Sequence, residues 1–142
     1  MGVSVRKILL ILLGLALAAC SPADASRGIE RSQQAIAAFH KDMNAGKFDD
    51  IYYASAKEMH DAVDVAGFEQ LLGAVQRKLG KAGNSKQVGW HVNYTNGSTY
   101  VTLTMETMFD KDKATETFIY VTSDESTKLV GYNIQSLALI TQ

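Results

Sequence analysis

The chain is poor in the residues that build cross-links. Its 142 residues include one cysteine, one proline and three histidines. A lone cysteine excludes internal disulfides and any metal site made of cysteine pairs. His40, His60 and His91 contain no pair at the i, i+4 spacing of a helix or the i, i+2 spacing of a strand, so no two present ligands on one face. No metal or other cofactor is expected. There is no Gly-x-Ser-x-Gly elbow for a nucleophilic serine. The run Gly80-Lys81-Ala82-Gly83-Asn84 lacks the Walker spacing and follows a helical pattern, which excludes a phosphate-cradling loop. Basic residues number 14 against 15 acidic ones. Without a positive excess the chain lacks the electrostatic footprint of a nucleic-acid binder. No internal repeat or low-complexity tract is visible. Nor is there an apolar run of about 20 residues, the length that a helix needs to span a bilayer.

The longest apolar run, Ile8 to Ala19, follows the basic pair Arg6-Lys7 and ends in Leu17-Ala18-Ala19-Cys20. A basic start, a short apolar segment and a small-residue exit are the layout of an export signal. The tetrapeptide resembles the lipobox of bacterial lipoproteins. That resemblance implies that the Cys20 sulfur receives a diacylglyceryl group, that the bond between Ala19 and Cys20 is cut, and that the new amino group is acylated. The membrane then becomes a partner through lipid on Cys20. Each buried acyl methylene contributes about 0.8 kcal/mol, so two or three chains hold the protein durably. Ser21 stands where many inner-membrane lipoproteins carry Asp, so the resemblance implies an outer-membrane address facing the periplasm. The expected organisation is a signal over 1–19, a lipidated cysteine and polar tether over 20–26, and one domain over 27–142. Cleavage removes Arg6 and Lys7, so the mature chain of 123 residues carries 12 basic and 15 acidic residues, a balance of −3.

The domain begins with helical periodicity. Ile29, Ile36, Phe39 and Met43 fall on one helix face between Arg27 and Ala45, and Gly46 suits the stop. Phe48, Ile51 and Tyr52 suggest a short second helix. Ser55-Ala56-Lys57-Glu58 matches a capping box. Val65, Phe68, Leu72, Val75 and Leu79 mark another helix after Asp64, with Gly80 at its end. After Lys86 the period changes to two. Val88, Trp90, Val92 and Tyr94 alternate as one buried face of a strand. Asn96-Gly97 is a two-residue hairpin signal. Val101, Leu103, Met105 and Phe109 alternate with Thr102, Thr104 and Glu106. Thr115 to Val121 and Leu129 to Leu139 read as third and fourth strands, after turns at Asp110–Lys113 and Asp124–Thr127. Helices first and an antiparallel meander after predict an α+β fold, with N-terminal helices packed on a curved four-stranded sheet.

This order resembles the cystatin-like and nuclear-transport-factor-two-like roll, and within it small bacterial lipoproteins. The roll hosts enzymes, binding proteins and structural modules, so the resemblance predicts architecture and leaves activity open. Sheet faces of such rolls often pair, which keeps a homodimer among the expected partners. The leading expectation is a non-enzymatic envelope module that binds or scaffolds a protein, a peptide or a small apolar ligand. Tyr52, Tyr53, Trp90 and Tyr94, with Phe48, are the candidate pocket at the open end of the roll, against the alternative that they pack the core. A small acid–base enzyme is the competing reading, and it needs a carboxylate or histidine turned into an apolar cavity. His91, Tyr94 and Glu106 are the strand residues inspected for it. An inhibitor module is the third reading, although the Gln-x-Val-x-Gly run of cystatins is absent. Glu58, His60, Asp61 and Asp64 could offer metal ligands, but a solvated helix end is the simpler reading.

Overall fold

The computed structural model describes residues 21–141. Helix α1 (Pro22–Asn44) is followed by α2 (Phe48–Ala54), α3 (Lys57–Ala62) and α4 (Val65–Leu79). Strands β1 (Ala82–Thr95), β2 (Ser98–Phe109), β3 (Lys113–Thr122) and β4 (Thr127–Gln135) follow, and a single turn, α5 (Leu137–Ile140), comes last. The strands form one antiparallel sheet in the order β1-β2-β3-β4. The fold is α+β, as the change of period implies. Its element order is compatible with the roll.

Helix α1 crosses one face of the sheet. Gly28 and Ser32 are small enough to bring its first half against the strands, and a Cβ on Gly28 would meet the Val101 side chain at 3.1 Å. Ile36, Phe39 and Met43 continue the same stripe into the core. There they meet Val101, Leu103, Met105 and Phe109 of β2, and Phe118 and Tyr120 of β3. Phe68, Leu72, Val75 and Leu79 bring α4 into the same core. The opposite face of the sheet carries Thr102, Thr104, Thr115 and Thr117, and among the described residues no helix covers it.

Several boundaries differ from the sequence expectation. Ser21 to Ser26 is not a tether: Ser21 caps α1, with its hydroxyl accepting from the Asp24 amide and the Asp24 carboxylate bonded back to Ser21. These bonds hold the Asp24 carboxyl below its ordinary range. Ser55 makes no capping box. Its hydroxyl donates back to the Ile51 carbonyl at 2.7 Å, and α3 starts from Ala56 without a side-chain cap. The fourth strand ends at Gln135, because Ser136 turns the chain and caps α5. Strand β1 starts at Ala82, before the change of period after Lys86, and β3 starts at Lys113 rather than Thr115. The first hairpin is as expected. Asn96 and Gly97 take φ values of 52° and 80°, the left-handed pair that a tight hairpin requires.

Candidate functional site

The sequence-named aromatics do not gather into one pocket. Tyr52 is buried, donates its hydroxyl to the Val63 carbonyl at 2.9 Å and packs on Phe68. Tyr53 is exposed beside it. Both belong to the β4 side of the molecule, where the Ala56 amide donates to the Leu129 carbonyl. Trp90 and Tyr94 belong to β1, at the other edge of the sheet. They stand opposite Leu103 and Thr99, yet they are 62% and 56% exposed. The alternation gave their phase correctly, but α1 does not extend sideways far enough to cover the edge strand. Tyr94 instead lines a polar cleft of about 440 Å³ with Arg27, Arg31 and Asp124.

The other named candidates also resolve. His91 is exposed on β1, and Glu106 pairs with Lys113 at 3.2 Å on the outer face. His60 lies on Tyr52, and its Nε2 is 2.7 Å from the Tyr52 carbonyl, to which the N–H donates. Among the described residues no three His, Cys, Asp or Glu side chains come together as a metal site. Cys20 and Ala19 lie outside the described residues.

A different group forms the centre of the molecule. Glu116 points inward from β3 and is fully buried, 0% exposed. Three donors surround its carboxylate. Thr107 donates to Oε2 at 2.6 Å, His40 Nε2 donates to the same oxygen at 2.7 Å, and Tyr132 donates to Oε1 at 2.7 Å. The rings of Phe39, Phe109 and Phe118 pack round the histidine. Burial and the Glu116 charge raise the Tyr132 phenol well above its ordinary range, so it stays a donor. Tyr120 is raised for the same two reasons. A hydroxyl carries one proton. Thr107 gives its own to Glu116, so Ser85, 2.7 Å from Thr107, must be the donor to it. The protons are thus ordered from Ser85 to Thr107 to Glu116, with His40 and Tyr132 closing the set.

Both outer ends of this network, Ser85 and His40, line a cleft of about 450 Å³ between α1 and β1. Ile36, Ala37 and Met105 supply its apolar part. Gln33, Asn84 and Gln87 supply carboxamides, and Gln33 donates to Gln87 across the gap at 2.8 Å. Among the described residues every sealed side-chain polar atom has a partner. His40 Nδ1 has none among the described residues, so it is not sealed, and His40 is one of the residues that line the cleft.

No family model, curated protein or solved structure matches the chain. The cleft therefore stands on its chemistry alone. Its lining holds no Lys, Arg, Asp or Glu, and it presents both donors and acceptors above a small apolar floor. Glu116 was missed by sequence reading, although its signal was present. Ala114, Glu116, Phe118, Tyr120 and Thr122 alternate in one phase, so a carboxylate flanked by inward residues had to face inward.

Proposed function

We propose that this chain is an envelope lipoprotein, anchored through acylated Cys20, whose domain is a non-enzymatic binding module. Its ligand site is the cleft between α1 and β1, and the ligand is polar and uncharged. The observation that carries this reading is the carboxamide-rimmed cleft with His40, held by Glu116, in its lining. Glu116 holds one ring nitrogen, so the other is oriented before any ligand arrives, which lowers the ordering cost of binding. The sealed position of Glu116 argues against catalysis, because no substrate atom can reach it. Ser85 commits its proton to Thr107, which removes it as a nucleophile paired with His40. Among the described residues no helix is long and apolar enough to cross a membrane. In this reading the outer-membrane attachment rests on the lipid.

Two measurements test the parts separately. Globomycin should leave the uncleaved precursor in cells, and unchanged processing would end the lipoprotein reading. A photo-crosslinking residue at Asn84 should trap a discrete adduct in intact cells, whereas one at Thr117 on the outer face should trap none. Equal labelling at both would end the cleft reading.

Acid–base catalysis is the second reading, favoured by the His40–Glu116 pair. A buried carboxylate on one nitrogen supports an imidazole that exchanges a proton at the other. Turnover of a small molecule by the purified chain, abolished in His40→Gln, would establish it in place of the first.

A further inference from the structure

The two edges of the sheet differ. The β4 edge is occupied where Ala56 donates to Leu129 at 2.8 Å. The β1 edge is occupied only at its start, by a side chain. The Asn44 carboxamide donates to the Ala82 carbonyl and accepts from the Ala82 amide, both at 2.8 Å. That pair of bonds is what a neighbouring strand's amide would make. From Gly83 to Thr95, among the described residues, no hydrogen bond apart from the β2 ladder reaches the backbone of β1.

The direction of the free groups follows from the hairpin. In a two-residue hairpin the residues flanking the turn exchange both backbone bonds, and the pairs then alternate. Thr95 and Ser98 flank the turn, and the register is regular back to Gly89 and Thr104. Asn93 and His91 therefore bond inward to β2. The N–H and C=O groups of Tyr94, Val92 and Trp90 face outward. Natural edges are usually blunted by charge, proline or cover. This stretch has none of them; Lys86 is the only Lys, Arg, Asp or Glu in β1, and it precedes the regular segment. Val88, Trp90 and Tyr94 add exposed apolar surface to the same strand.

We infer that the β1 edge binds an extended, uncharged peptide segment of another protein by strand addition, pairing with Trp90, Val92 and Tyr94 and leading into the His40 cleft. This rests on the binding-module reading and names its partner. The cleft adjoins the edge across the register break between Gln87 and Gly89, because Gly83, Asn84, Ser85 and Gln87 of the same strand line it. Its carboxamides suit a peptide backbone, as Asn44 shows at Ala82. A second copy fits less well. Two β1 edges joined antiparallel about a two-fold axis place the two α1 starts at opposite ends of the joint sheet. Acylated Cys20 residues in one membrane require them at the same end.

The test uses the full chain in detergent micelles and a phage-displayed library of random dodecapeptides. Enriched peptides, made synthetically, should slow exchange of the Trp90, Val92 and Tyr94 amide hydrogens. N-methylation at alternate peptide positions should abolish binding. Tyr94→Pro removes one outward N–H and should weaken binding about tenfold, the scale of one or two lost main-chain bonds. Trp90→Lys, a milder change at an exposed position, should weaken it as well. The inference is overturned if no peptide is enriched, if the protection falls on the helices or the threonine face, or if the chain dimerises through this edge instead. The mass of Cys20 in the same preparation reports the anchor independently. An Asn84 crosslink in cells without edge protection would reject strand addition while the cleft reading stands.

Discussion

Glu116 has no contact with water and three donors aimed at two oxygens. Replacing it with glutamine puts an NH2 group where one donor now finds an acceptor. Tyr132 or the Thr107–His40 pair then faces a donor, and a charge-assisted bond is lost. Glu116→Gln should cost about 1.5–3 kcal/mol in urea unfolding; an unchanged midpoint would show that the carboxylate is uncoupled from its neighbours. The tyrosines predict a pH dependence of known sign. Burial, together with Glu116, raises Tyr120 and Tyr132 above the ordinary value in the folded state. The fold therefore holds protons that the unfolded chain releases. Their contribution is complete below the unfolded value near 10 and is lost as pH rises above it. Each ring adds a downward slope of up to about 1.4 kcal/mol per pH unit. Unfolding midpoints taken upward from about pH 9 should fall more gently in Tyr120→Phe. At this scale the sequence was partly legible. Period alone placed Phe68, Leu103 and Phe109 in the core. The same period runs through Glu116, but a lone charge in a strand does not read as buried, because its three partners are scattered over α1, β2 and β4.

At the scale of elements, glycines separate two kinds of stop. Gly46 after α1 has a φ of 73° with nothing near its missing Cβ. Gly80 after α4 has a φ of 83° and ψ of −151°, and a Cβ there would lie 2.7 Å from that of Asp110. The junction is tight because the Asp110 amide donates to Lys81, the Lys111 amide donates to Leu79 and the Asp110 carboxylate accepts from the Lys81 amide. Gly46→Ala should lose about 1 kcal/mol for the left-handed backbone alone. Gly80→Ala adds overlap to a backbone region open almost only to glycine, for a loss of about 2–5 kcal/mol. Equal losses in thermal unfolding would show that the α4–β1 junction yields. Elements were legible wherever period and punctuation agreed, as in α4, the Asn96-Gly97 hairpin and β2. They were misread where one residue could serve two neighbours. Ser55 closes α2 rather than opening α3, and Ser136 ends β4 by capping α5. The exposure of Trp90 has another cause: period gives a residue's face, while burial depends on which strand of the sheet it occupies.

Over the whole molecule, one end gathers the start of α1, the Asn96-Gly97 hairpin and the turn from Ser123 to Ser126. Gly28 sits against Val101 and Thr122 there, and the Arg31 guanidinium donates to the Ser123 carbonyl. The β2–β3 turn, with Lys111, is at the other end. Strand β2 separates them by its 12 residues, a length of about 40 Å. In the proposed lipoprotein, cleaved before Cys20, only Cys20 and the capping Ser21 would stand before α1, at about 3.8 Å per Cα step. The proposed anchor on Cys20 would then have almost no slack, and it predicts that the hairpin end rests on the headgroups with the sheet standing away from the bilayer. The acylated chain in vesicles containing headgroup-quencher lipid measures this directly. A fluorophore on Asn96→Cys should be strongly quenched and one on Lys111→Cys should not. Similar quenching at both positions would mean that the domain lies flat or that the first turn of α1 unwinds at the surface. The β1 edge would then be partly covered by lipid, and a peptide would have to approach from the side of the threonine face.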